Sequence, residues 1–133
     1  MWAGRAMTVY ELSVSRSFVA QHYLTVPNPT PPEGELHSHA YEAAVRFGSA
    51  SLGEYGYVVN VGHVESALDA VVERYRDATL NELPEFGDRN PSVERFAELF
   101  GDRLLDRLSP DADRLTVRMW EDDIAWASHE REL

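Results

Sequence analysis

The feature that most confines this chain is a period of two. From Thr8 to His22 it reads TVYELSVSRSFVAQH, where Tyr10, Leu12 and Val14, then Phe18, Ala20 and His22, share one phase, with Arg16 the polar interruption. Side chains of an extended strand point alternately to its two faces, so the pattern predicts a strand with one face turned inward. A strand of that kind needs neighbours to pair with and a layer to cover its apolar side.

The rest of the chain supplies both. Tyr23 to Glu35 carries Pro27, Pro29, Pro31 and Pro32, which remove backbone donors, and reads as a loop. Leu36 to Phe47 (LHSHAYEAAVRF) alternates in part and runs into a glycine-containing turn region, Gly48 to Gly56, which predicts a second strand paired with the first. After the short apolar run Tyr57 to Val61, the positions Val64, Ala67, Leu68, Val71, Val72 and Tyr75 follow helical spacing and end near Arg76. A polar loop, Asn81 to Asn90, leads to Pro91 at a second helix start. Val93, Phe96, Ala97, Phe100, Leu104, Leu105 and Leu108 then mark an amphipathic helix that stops at Ser109-Pro110. Leu115 to Trp120 and Ile124 to Ser128 flank the acidic turn Glu121 to Asp123 and predict a closing hairpin. The order is ββααββ, an α+β subunit with a four-stranded antiparallel sheet and both helices on one face. Its edges and part of its other face stay uncovered, so a homo-oligomer is expected.

At 133 residues with 44% hydrophobic residues there is material for one core. We therefore expect a single domain over residues 8–133 behind an N-terminal extension, residues 1–7. No apolar stretch approaches the roughly 18 residues of a membrane span, and Met1 to Ala6 lacks the apolar centre of a secretory leader, so a cytoplasmic protein with no membrane partner is expected. The formal charge is -11 and all twelve basic residues are arginine. Phosphate binding needs clustered positive charge, so a nucleic-acid partner is not expected. The acidic, lysine-free surface suits a salt-rich cytoplasm and predicts a halophilic source. With no cysteine, disulfides, thiolate catalysis and thiolate metal ligands are excluded, and any metal must be held by histidine and carboxylate.

Catalytic zinc sites use three protein ligands and keep one position open. His37 and His39, two apart on a strand, point to one face and can grip one ion, and the phase set by Phe18 and Ala20 allows a hairpin to bring His22 to the same face. On spacing alone, H-x-H equally suits two exposed polar positions.

The strings Phe18-Val19-Ala20-Gln21-His22 and Leu36-His37-Ser38-His39-Ala40-Tyr41 resemble the zinc-binding signatures of the 6-pyruvoyl-tetrahydropterin synthase and 6-carboxy-tetrahydropterin synthase family. The resemblance continues in order. Gly56-Tyr57-Val58-Val59-Asn60 looks like the family's glycine-to-acidic strand, and Arg76-Asp77-Ala78-Thr79-Leu80-Asn81 falls where its Asp-His-x-x-Leu-Asn loop would be. Asn90-Pro91-Ser92-Val93-Glu94 is similar to its Asn-Pro-Thr-x-Glu helix start, and Val117-Arg118-Met119-Trp120-Glu121 to the strand ending in a pterin-binding glutamate.

The resemblance implies the tunnelling fold, whose ββααββ subunits close edge to edge into a trimeric barrel, usually stacked into a hexamer. It implies Zn2+ on His22, His37 and His39, a small-molecule pterin substrate gripped by Glu121 with help from Glu94, and a lyase acting on 7,8-dihydroneopterin triphosphate. Where two branches of the family have a catalytic cysteine before H-x-H, this chain has Glu33, which resembles the branch that uses glutamate and releases 6-hydroxymethyl-7,8-dihydropterin; Glu33 is then the candidate base. Where the family has Asp-His, this chain has Arg76-Asp77, so Asp77 is the candidate proton relay, with His63 and His129 as substitutes. Asn60 stands for the usual aspartate and Ser38 for the usual glycine, and Ser92 with Glu94 suits a capping box. Two alternatives remain: 6-carboxy-tetrahydropterin synthesis for deazapurine-modified tRNA, and a pterin-binding member with weak turnover.

Overall fold

The computed structural model describes residues 7–133, and the expected N-terminal extension, residues 1–7, lies outside them except for Met7. The period-two segment forms β1 (Tyr10–His22), and the H-x-H segment opens β2 (His37–Ser49). They pair antiparallel from Tyr10 opposite Ser49 to His22 opposite His37, so the proline-rich loop joins the ends of a long hairpin. β2 then pairs with β3 (Arg114–Glu121) and β3 with β4 (Ala125–Glu132), giving the sheet order β1-β2-β3-β4: the four-stranded antiparallel sheet and its two hairpins are those expected from the sequence, and the β2–β3 pairing joins them.

Both helices lie on one face of that sheet. α1 (Val61–Tyr75) buries the stripe Val64, Ala67, Leu68, Val71, Val72 and Tyr75, the i, i+3, i+4 spacing read in the sequence. Asn60 caps it, its side chain accepting from the His63 amide, and Arg76 ends it. α2 (Val93–Leu105) buries Phe96, Ala97, Leu99, Phe100, Gly101 and Leu104. The inward Arg16 of β1 is met by α1, donating to Glu65 at 2.9 Å and Asp69 at 2.8 Å, which is why a polar residue is tolerated in the apolar phase.

Three local expectations are corrected. Tyr57 to Val61 forms no strand: Gly53 and Tyr57 close a turn on themselves, with Gly56 at φ 78°, and Asn60 is already the helix cap. α2 stops before Ser109-Pro110, because its last turn tightens at the Arg107 amide, which donates to Leu104; Leu108 packs on the core from irregular chain. Ser92 does cap α2, accepting from the Arg95 amide, but the third helical position is Arg95, so Glu94 completes no reciprocal capping box.

The core between sheet and helices is aromatic at the end that matters. Phe18 stacks on Tyr41 at 5.8 Å, Tyr41 meets Phe96 edge-on at 5.1 Å, and Tyr75 meets Phe96 at 4.9 Å. Interlocked rings of this size leave little room for rotamer change, so they make a rigid floor. The histidines of β1 and β2 stand immediately beyond it.

Candidate functional site

Register builds the site. Phe18, Ala20 and His22 face the helices, as do His37, His39, Tyr41 and, across from Tyr41, Glu121 of β3. Because His22 sits opposite His37 and Ala20 opposite His39, a small residue leaves space for the third ring. The ring centroids are 4.7 Å (His22–His37), 4.9 Å (His22–His39) and 4.7 Å (His37–His39) apart, and one ligand atom from each ring lies within 4.8 Å of the others.

Each ring is also oriented. Nδ1 of His22 donates to the Pro91 carbonyl at 3.0 Å, Nδ1 of His37 to the Glu35 carbonyl at 2.7 Å, and Nδ1 of His39 to Oδ2 of Asp122. Carbonyl and carboxylate oxygens only accept, so each Nδ1 carries its proton and each Nε2 keeps its lone pair for a cation. Outer partners of this type are what fix metal-bound imidazoles. Three neutral imidazole donors suit a borderline divalent cation such as zinc rather than calcium or magnesium, which seek oxygen. Burial pushes His22 down to about 4, against a carbonyl bond that pulls the other way, so it stays neutral and ready to ligate.

Asp122 was not singled out as a functional residue in the sequence, where it reads as one of three turn acids. Asp122 and Asp123 take φ 55° and 60°, the two left-handed positions of a type I′ turn, which favours Asn-Gly. That conformation costs of order 1 kcal/mol at a non-glycine residue. It aims the Asp122 carboxylate at β2, where Oδ1 accepts from the Ala40 amide at 2.7 Å while Oδ2 takes His39. Burial works to raise its pKa, but the bonds from His39 and Ala40 outweigh it and hold the carboxyl below the usual aspartate range.

The imidazoles open onto a cleft of about 360 Å³ that is also lined by Glu33, Glu94 and Glu121, with Leu24, Pro32 and Val93 among its apolar walls. Oε1 of Glu121 lies 3.8 Å from Nε2 of His39. Its burial raises its proton affinity, with His39 opposing. Thus the structure brings six of the seven residues singled out in the sequence to one place.

Asp77 is the exception. It occupies a left-handed position, φ 59°, at the turn after α1, its amide donating to Val19, and it lines a separate groove with Arg76, Ser17 and Ala40. The substitutes are elsewhere too: His63 lies on α1 at the far end of β2, beside a larger cleft of about 470 Å³ with Tyr55 and Tyr57, and His129 on β4 sits 3.8 Å from Glu98. Among the described residues, no metal-ligand cluster other than the three histidines is formed.

A four-stranded antiparallel sheet backed by two helices, with three inward imidazoles at one end, defines a class of small α+β proteins with a histidine-lined cleft. Within that class the chain belongs to the 6-pyruvoyl tetrahydropterin synthase family, whose model matches residues 11–132. The fold is that of 6-pyruvoyl tetrahydropterin synthase from Plasmodium vivax (TM-score 0.80, 15% identity, covering 93% of this chain and 98% of that one). The Caenorhabditis elegans synthase is similar at TM-score 0.72 and 15% identity, over 96% and 100% of the two chains. A P. vivax variant, described as a catalytic residue mutant with glutamate replaced by alanine, matches at TM-score 0.78 and 15% identity, over 93% and 98%. No curated protein sequence matches the chain. No helix among the described residues is long and apolar enough to cross a membrane.

Proposed function

We propose that this protein is a zinc-dependent lyase that acts on 7,8-dihydroneopterin triphosphate and releases 6-hydroxymethyl-7,8-dihydropterin or 6-pyruvoyl-tetrahydropterin. The observation that carries the reading is that His22, His37 and His39 all commit Nδ1 to oxygen acceptors and leave Nε2 free in a cleft shared with three glutamates. Zinc bound there supplies Lewis acidity toward the oxygens of the substrate side chain.

The chain's own residues do the rest. His22, His37 and His39 hold the ion, and the aromatic floor keeps their strands in register. Glu121 at the inner wall accepts two parallel hydrogen bonds from the ring N–H and amino group of the pterin; burial makes the bare carboxylate costly, so a ligand that donates to it is favoured. Glu94, at the start of α2, faces the same cleft and takes a further donor. Glu33, on the exposed outer wall, receives the proton leaving the substrate side chain, geometry being the first requirement of a general base. A glutamate base is in keeping with the P. vivax variants, in which the residue called catalytic is a glutamate. Among the described residues β1 and β4 are the outer strands of the sheet, with the 77–79 turn bonded to β1 at Val19 and Gln21, and a sheet with two outer strands supports a homo-oligomer, trimer or hexamer, as the proposed assembly, in the cytoplasm.

A second reading, a pterin-binding member with little turnover, is favoured by one observation: Asp77, His63 and His129 all lie outside the cleft of the subunit. Incubating the zinc-loaded protein with dihydroneopterin triphosphate and identifying the pterin by mass separates the readings. A new pterin that disappears in Glu33→Ala supports the lyase; an unchanged rate removes Glu33 as base. Formation of 6-carboxy-tetrahydropterin assigns the deazapurine branch. Full zinc content in His37→Ala overturns the ligand set.

A further inference from the structure

Glu33 stands on a segment that has little means of holding itself in place. Between Tyr23 and Glu35 four residues are proline and most side chains are exposed, and the bonds inside the segment are local: the Glu33 amide to Thr30 and the Glu35 amide to Pro32. Gly34 lets Pro29 fold close, since a Cβ at Gly34 would meet Pro29 Cγ at 2.6 Å. One bond ties the base to the start of the segment, the Leu24 amide donating to the Glu33 carbonyl at 2.8 Å.

The residues on either side of Leu24 are held by two asparagines from the helical layer. Asn81 clamps Tyr23 twice, its Oδ1 accepting from the Tyr23 amide at 3.0 Å and its Nδ2 donating to the Tyr23 carbonyl at 2.9 Å. Asn90 accepts from the Thr25 amide at 2.8 Å. Asn90 also precedes Pro91, whose carbonyl orients His22. One dipeptide therefore fixes a metal ligand through its backbone and the base-bearing segment through its side chain.

The geometry points to Asn81 and Asn90 as positioning residues that set Glu33 at its place over the three-histidine centre; the inference rests on Glu33 being the base. The two amides differ in a useful way. Asn90 uses only its acceptor, so Asn90→Asp keeps the bond. Asn81 uses acceptor and donor, so Asn81→Asp loses one bond and sets a carboxylate against the Tyr23 carbonyl. A 1 Å displacement of a reacting group costs up to about 100-fold in rate.

The test uses the full chain loaded with zinc. Asn81→Ala, Asn90→Ala and Asn81→Asp are expected to lower kcat by about 10- to 100-fold, with zinc stoichiometry and KM little changed, whereas Asn90→Asp, which keeps the bond to Thr25 while placing a carboxylate in the cleft, loses less than Asn90→Ala. Amide hydrogen exchange at residues 23–25, which needs no turnover, speeds up in the first three variants and not in Asn90→Asp. Adding Asn90→Ala to Glu33→Ala lowers the rate no further, because the amide acts through Glu33. An inactive Glu33→Ala beside fully active Asn81→Ala and Asn90→Ala overturns this inference and leaves the base assignment standing. A fully active Glu33→Ala, or a zinc-loaded wild type that makes no pterin, overturns both. Additive losses in the double variant, or unchanged exchange in Asn90→Ala, overturn the positioning role.

Discussion

Replacing Asp122 by asparagine asks whether the proposed zinc site depends on the turn that reaches it. The carboxylate serves two donors at once, the His39 Nδ1–H through Oδ2 and the Ala40 amide through Oδ1. Asparagine is nearly the same shape and tolerates φ 55°, so the backbone has no reason to move. It has a single acceptor oxygen, however. If that oxygen stays on Ala40, the amide NH2 faces His39 Nδ1, which must then give up its proton and place it on Nε2, where a cation should bind. If the oxygen turns to His39, the NH2 confronts the Ala40 amide. Loss of such an outer partner typically weakens metal binding by about 10- to 100-fold, or about 1.4–2.7 kcal/mol. A competition titration of zinc against a chromophoric chelator near neutral pH measures this directly, with His37→Ala as the reference for a lost ligand. Asp122→Asn binding zinc within about twofold of wild type would show that the Asp122–His39 bond does not set the tautomer, and the orientation argument would fail with it.

Two further predictions concern stability in different pH windows. His22 is fully buried with its folded pKa lowered to about 4 from 6.5, so its contribution is whole above the unfolded value and is lost as pH falls from 6.5 toward 4. At about 1.4 kcal/mol per pH unit the zinc-free protein should lose about 3 kcal/mol over that range, measured by denaturant titration, and His22→Gln should flatten that limb; an unchanged slope would count against the burial argument. Glu85, almost enclosed, accepts from Arg74 at 2.6 and 2.7 Å and from the Tyr75 hydroxyl at 2.9 Å, and the Arg74 bonds hold it at about 2, against the opposing effect of burial. Its stabilisation is present above 4.5 and disappears as pH falls toward 2; because Arg74 is 40% exposed, Glu85→Ala should cost only about 1–2 kcal/mol near neutral pH, and a loss persisting undiminished at pH 2 would refute the ion-pair account.

Much of this was legible before any coordinate. The phase of Tyr10 to His22, the i, i+3, i+4 stripe from Val64 to Tyr75 and the H-x-H spacing are local patterns, and local periodicity decides which face of an element is buried. That is why the succession of strands and helices, the helical layer and a common face for His37 and His39 follow from the sequence. A period of two also fixed His22 to the core face of its own strand.

What the sequence could not state is which distant residues meet. Asp122 orients His39 from 83 positions away and Pro91 orients His22 from 69, and neither carries a pattern that marks it for the purpose. Asn81, Asn90 and the displacement of Asp77 into another groove are of the same kind. Tyr57 to Val61 shows the converse, an apolar run whose first four residues stay irregular because its turn closes on itself and Asn60 caps the helix that Val61 begins. Periodicity is a property of neighbouring residues, whereas register, turn conformation and hydrogen-bond partners are settled only when the sheet pairs and the helices pack, so the three histidines stood out in the chain and the groups that orient them did not.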